Sequence, residues 1–166
     1  MQHISCNDYT YIPVAKWCLE DILKMTDYDV KIFFGILLNM TAGNFTPPNQ
    51  IYVSQHLTHT HQFCTLFHEL RHYYQSKTKM FDFIPGPYLK NPKPEMTDDQ
   101  KGLQRYIDYI NFPWELDANS FAFETVEQFW KTPLGKSYLP KPKPIIKNET
   151  SFLVEVIQAD PSYSAS

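Results

Sequence analysis

Hydrophobic and polar positions along the chain divide it into a series of short elements. Val14–Met25 (VAKWCLEDILKM) has apolar residues at helical spacing and ends at the turn-prone TDYD, which predicts an amphipathic helix. Val30–Met40 (VKIFFGILLNM) is β-branched and aromatic between turn residues, which predicts a buried strand. TAGNFTPPNQ reads as a loop, and Ile51–Ser54 as a second short strand returning antiparallel to the first. A helix is expected from about Thr60 to about Lys77. The stretch from Met80 to Lys101 carries Pro85, Pro87, Pro92 and Pro94, which excludes regular structure there and predicts a surface loop or lid. Asp98–Ile110 reads as a helix, and Pro113 suits the first turn of another, capped by Asn111 or Phe112. PKPKP (Pro140–Pro144) is an extended spacer, after which SFLVEVI has the pattern of a strand. The expected organisation is one domain over 1–139, followed by a Pro-rich spacer and tail over 140–166. No internal repeat is visible.

Composition narrows the picture. A chain of 166 residues that is 43% hydrophobic can bury one real core, and 12 Phe and 11 Tyr against 5 Gly imply a core of large flat side chains. A net charge of −3 with mixed signs leaves no basic footprint for nucleic acid. The longest apolar run, Ile32–Met40, is too short to cross a bilayer, so no membrane association is expected. The opening MQHISCNDYTYIPVAKW has neither the basic nor the apolar region of a secretion signal, and Cys6, Cys18 and Cys64 are odd in number and far apart. Both features point to reduced thiols and a cytoplasmic location. The sequence carries no signal of its oligomeric state.

The candidate chemistry lies in FCTLFHELRHYYQ, Phe63–Gln75. His68 and His72 are four apart, about 40° from each other on a helix and one turn along it. Two imidazoles so placed can reach one tetrahedral zinc, and Glu69 between them can reach a water at the ion from the side, as a general base must. On the helical wheel Phe63, Leu66, Phe67, Leu70, Tyr73 and Tyr74 crowd one side, while Cys64, His68, Arg71, His72 and Gln75 take the other. A polar side of this kind is equally what a helix shows to water.

A third ligand is available in PWELDANSFAFETVEQFW. With Glu115 as the zero of the wheel, Asn119, Ala122, Val126 and Phe129 share its side. Asp117, Ser120, Glu124, Glu127, Gln128 and Lys131 fall on the opposite, solvated side. A first-turn glutamate could simply complement the helix dipole. That accounts for its presence but not for its facing the apolar stripe, where a carboxylate is costly unless paired or metal-bound. Glu115 is therefore read as the third ligand.

His68-Glu69-x-x-His72, followed by Glu115-x-Asp117-Ala118-Asn119-x-Phe121-Ala122, resembles the gluzincin pattern, and more closely that of the ImmA/IrrE-type metallopeptidases. Thr65-Leu66 before the first histidine adds to the likeness, which spans Val30 to about Trp130. The resemblance implies a small α+β zincin-like domain, with a short sheet packed on the HExxH helix and a second helix delivering the glutamate. It implies one Zn2+ per chain held by His68, His72 and Glu115, with Glu69 as base and a protein or peptide as substrate. Asn119 would orient a metal-binding histidine from the second shell. The chain departs from the family at Arg71, whose charge would border the cleft and contact substrate, at Phe67, and at Asp117.

Several other residues have two readings each. Cys64, His68 and His72 form a row at four-residue steps, but three ligands from one helix strain a tetrahedron, so Cys64 is expected to be a packing residue. His56, His59 and His61 are expected in solvated loop positions, although one of them could steady an oxyanion. Tyr88, Tyr106 and Tyr109 are candidate oxyanion donors. The Ile51–Ser54 strand is either a sheet edge that pairs with extended substrate or plain core. The same ligands would also serve a zinc-stabilised binding or regulatory protein without proteolysis, and a helical interaction domain without metal is a third class.

Overall fold

The computed structural model describes residues 1–38, 41–81 and 96–138. The predicted lid and Tyr88 fall largely or wholly outside these residues, as do the 140–166 spacer and tail with their candidate strand.

The fold is α+β, with one four-stranded sheet and five helices among the described residues. The strands are β1 (Gln2–Cys6), β2 (Tyr28–Gly35), β3 (Gly43–Thr46) and β4 (Gln50–Ser54), in the order β1-β2-β4-β3. β1, β2 and β4 run parallel, and β3 turns back antiparallel onto β4. The parallel β1–β2 pair needs a crossover. It is made by α1 (Ile12–Trp17), which continues into a π turn over Cys18–Ile22. The expected Val14–Met25 helix is thus shorter and wider in its second half.

β2 begins at Tyr28, ends at Gly35, and alternates. Tyr28, Val30, Ile32 and Phe34 are buried, while Phe33 on the opposite face stacks on Tyr52 of β4. It is buried on one face only, which corrects the expectation of a wholly buried strand. The expected direction of the next strand fails with the loop reading before it. Ile51–Ser54 is parallel to β2, not antiparallel, because the segment read as a loop contains β3, which occupies the antiparallel position. β4 is therefore interior, and on that side the sheet edge among the described residues is β3.

α2 (His59–Thr78) crosses the sheet, capped by the Thr58 side chain, which accepts from His61 N–H, and closed by Lys79 in the left-handed region. α3 (Asp98–Ile110) carries a Thr97/Gln100 capping box and has no buried residue, while α4 (Pro113–Lys131) starts from Phe112 with Pro113 in its first turn. α5 (Pro133–Tyr138) follows it. α4 packs along α2 through aromatic side chains, with the Phe129 ring 4.9 Å from Phe63, 5.7 Å from Phe67 and 5.4 Å from Trp17. With the sheet on one side of α2 and α4 on the other, the polar side of α2 is enclosed. Cys64, His68, His72 and Gln75 are all buried rather than facing water. No helix among the described residues is long and apolar enough to cross a membrane.

Candidate metal centre

Three elements meet over the middle of α2, and their meeting defines the site. One helical turn places the His68 and His72 rings side by side, with centroids 4.6 Å apart. The first turn of α4 lies across them and delivers Glu115. The two histidine Nε2 atoms are 2.9 Å apart. Each is 3.3 Å from a different Glu115 oxygen, His68 from Oε2 and His72 from Oε1. All three residues are buried, with exposures of 3%, 7% and 4%.

These spacings test whether a cation fits. Ligand atoms about 2.0–2.1 Å from a common centre at tetrahedral angles are about 3.3–3.4 Å apart; both nitrogen–oxygen separations match this, while the two nitrogens stand closer, at 2.9 Å. Glu115 Oε2 is buried and has no hydrogen-bond partner despite its 3.3 Å approach to His68, as an oxygen awaiting a cation would be. Among the described residues these three form the group able to hold a metal ion, their ligand atoms all within 4.8 Å of one another. Two nitrogens and a carboxylate oxygen are a donor set that zinc accepts, with one coordination position left over. Cys64 is not in the cluster and sits with the core residues, as expected of a packing residue. None of the three cysteines forms a disulfide.

Glu69, 2% exposed, stands next to the triad without belonging to it. Burial pushes its carboxyl upward, assisted by the Glu115 charge and opposed by the two imidazoles and the Phe45 backbone amide. β3 closes over it. A Cβ at Gly43 would lie 2.5 Å from Thr65 Cγ2, 2.9 Å from Glu69 Oε1 and 3.0 Å from Tyr52 O, so only glycine lets the strand come this close. Gly43 thus shapes the surroundings of Glu69. Nothing in the pattern around it points to that role, because the contact depends on a strand hidden in a loop-like stretch.

Electrostatics of the metal-free site favour protons where a metal would bind. Burial alone would lower His72, but the Glu115 and Glu69 carboxylates and Gln75 raise it to about 9. Glu115 is driven the other way: burial would raise it, but the two imidazoles lower it to about 2. A metal ligand must be neutral imidazole, so below about pH 9 each metal bound at this site displaces a proton from His72. Glu115 stays ionised well below neutrality and adds no step. Apparent metal affinity is therefore expected to rise about tenfold per pH unit towards pH 9 and then flatten. Titration with a competing chelator across pH 6–10 measures this, and a flat profile would contradict it.

Asp117 and His61 depart from expectation. Asp117 is not on a solvated face. Its two oxygens accept from Arg71 Nε at 2.7 Å and from an Arg71 terminal nitrogen at 3.0 Å. Arg71 is thereby engaged within the protein, its guanidinium 4.9 Å over both the Tyr74 and Phe121 rings. The wheel misplaced Asp117 because it treats the far side of α4 as water, whereas α2 reaches round it with a long side chain. The partner of His72 Nδ1 is Gln75, at 2.8 Å, and Asn119 is half-buried on α4. His61 is buried in the first turn of α2, its Nδ1 3.0 Å from Thr58 Oγ1, rather than solvated in a loop. His59 lies in the same turn, while His56 precedes the helix. Tyr106 and Tyr109 sit half-buried on α3, which contacts α4, and neither belongs to the triad. Gln75 was open to discovery from spacing, since it lies one turn beyond His72 on the same side.

No family model, curated protein or solved structure matches the chain. The functional reading rests on the site.

Proposed function

We propose that the protein is a zinc-dependent metallopeptidase of gluzincin type, similar to the ImmA/IrrE family, with one ion per chain and a protein or peptide as substrate. The observation that carries this reading is the convergence of three buried ligand atoms from two helices beside a fourth buried group, Glu69, that is not a ligand. Structural zinc sites are closed by four protein ligands, whereas catalytic ones keep three and leave a position open. His68 and His72 Nε2 and a Glu115 oxygen would hold the ion, which supplies a Lewis acid that acidifies water and polarises a carbonyl.

The chain's own residues then divide the work. Glu69 takes the proton of the attacking water on its carboxylate and returns it to the leaving amide nitrogen. Its upward-shifted carboxyl suits that exchange, because a base poised nearer neutrality can both take and give a proton. β3, at the sheet edge and in contact with Glu69 through Gly43, offers the backbone donors and acceptors along which an extended peptide can lie.

A second reading has its own support: every site residue is nearly inaccessible, which also suits a zinc-stabilised binding or regulatory protein. One experiment separates the two. The purified chain is incubated with a proteome-derived peptide library, then treated with a zinc chelator and reloaded. Cleavage that disappears on chelation and returns with zinc supports the peptidase. A zinc-loaded chain that cuts nothing in the library supports the second reading.

A further inference from the structure

Gln75 is fully buried, and neither the ligand set nor the base accounts for it. Its carboxamide meets three groups. Nε2 donates to the Trp114 carbonyl at 2.9 Å and to Asp117 Oδ2 at 2.7 Å, and Oε1 is 2.8 Å from His72 Nδ1. A backbone carbonyl and a carboxylate paired to arginine only accept, so both must face the amide's NH2 end. That leaves its oxygen, which only accepts, against the imidazole. His72 Nδ1 must therefore carry a hydrogen and donate it. A neutral imidazole with hydrogen on Nδ1 has its lone pair on Nε2, the atom that faces His68 Nε2 and Glu115 Oε1. The anchor of the arrangement is Asp117, gripped through both oxygens by Arg71.

We propose that Gln75 is a positioning residue: oriented by Asp117 and Trp114 across the α2–α4 contact, it fixes His72 in the tautomer that presents Nε2 to a metal ion. The inference rests on the metal reading above. It also gives Arg71 and Asp117 a purpose, since together they lock the amide against rotation. A carboxamide here does what a carboxylate or backbone carbonyl commonly does behind a metal-bound histidine.

The competing explanation is that Gln75 only ties two helices together. Two substitutions separate these roles, because they rank oppositely. Gln75→Met keeps the volume and removes the acceptor. Gln75→Glu keeps the acceptor but sets a second carboxylate against Asp117. Positioning predicts that Gln75→Met weakens zinc binding about 10- to 100-fold. It also predicts that Gln75→Glu melts at a lower temperature than Gln75→Met yet binds zinc the more tightly of the two. Zinc affinity is read by competition with a chromophoric chelator on the full chain, with melting followed in parallel. Affinity in Gln75→Met equal to wild type, or affinities that simply follow the melting temperatures, would overturn the inference. Should Gln75→Met fail to fold, the imidazole 15N spectrum of zinc-loaded wild type decides. Hydrogen on His72 Nδ1 with zinc at Nε2 supports it, and zinc at Nδ1 overturns it. Wild-type protein that binds no zinc would overturn the metal reading and this inference together, whereas zinc in wild type with unchanged affinity in Gln75→Met would overturn this inference alone.

Discussion

Glu69→Gln is expected to lower peptide cleavage by about 10²–10⁴-fold, the usual contribution of a positioned general base, while leaving the metal content unchanged. Glu69 lies one residue after His68 on α2 but outside the ligand cluster, so its loss removes no donor atom. Glutamine keeps its shape beside Gly43, where there is no room for anything larger. It cannot accept a proton from water. The variant should therefore remain folded and loaded and fail only in turnover, measured as kcat/KM on the best-cleaved peptide of the library. Cleavage within a few-fold of wild type would mean that another group takes the proton.

Phe129→Ala is expected to destabilise the fold by about 3–5 kcal/mol, as for other large aromatic truncations in cores. Phe129 is completely buried among Trp17, Phe63, Phe67, Trp130 and Tyr138, with ring centroids 4.9–6.0 Å away. It fastens the far end of α4 to α2. The near end holds Glu115, so the packing that stabilises the domain also sets the third ligand in place. Against a total stability of about 5–15 kcal/mol such a loss is large. Excess zinc should restore part of it, about 2.7 kcal/mol at a hundred times the dissociation constant. Urea midpoints with and without zinc measure both effects. A shift of under about 1 kcal/mol would show that the aromatic cluster is not what joins the helices.

The three long helices were legible in the sequence, the sheet much less so, and the short α5 not at all. α2, α3 and α4 have caps or first-turn residues of clear chemistry, such as Thr58, the Thr97/Gln100 pair and Pro113, and the expected bounds of α3 match those found. β1 and β3 escaped for different reasons. β1 pairs with β2 only across the α1 crossover, and β3 is a four-residue strand that begins at a glycine and ends beside two prolines, the composition of a loop. Missing β3 also reversed the expected direction of Ile51–Ser54. Within the site, His68, His72 and Glu115 were legible because helical spacing alone brings two of them together and turns the third inward. The Arg71–Asp117 pair was not, because a wheel drawn for one helix cannot show what a neighbouring helix brings to its flank; Gln75 was on the right side of the wheel, but its link to Asp117 and Trp114 was hidden for the same reason. The candidate strand SFLVEVI and Tyr88 lie outside the described residues.

The most direct test of the central claim is metal content per chain after purification without chelator, wild type beside Glu115→Gln. The account predicts close to one zinc in wild type and little in the variant, since Glu115 supplies one of three ligands and the amide carries no charge to hold the ion. Little zinc in either protein would contradict it: the buried histidines and glutamate would then be a proton-sharing cluster within the core. Zinc retained equally by both would remove Glu115 from the ligand set.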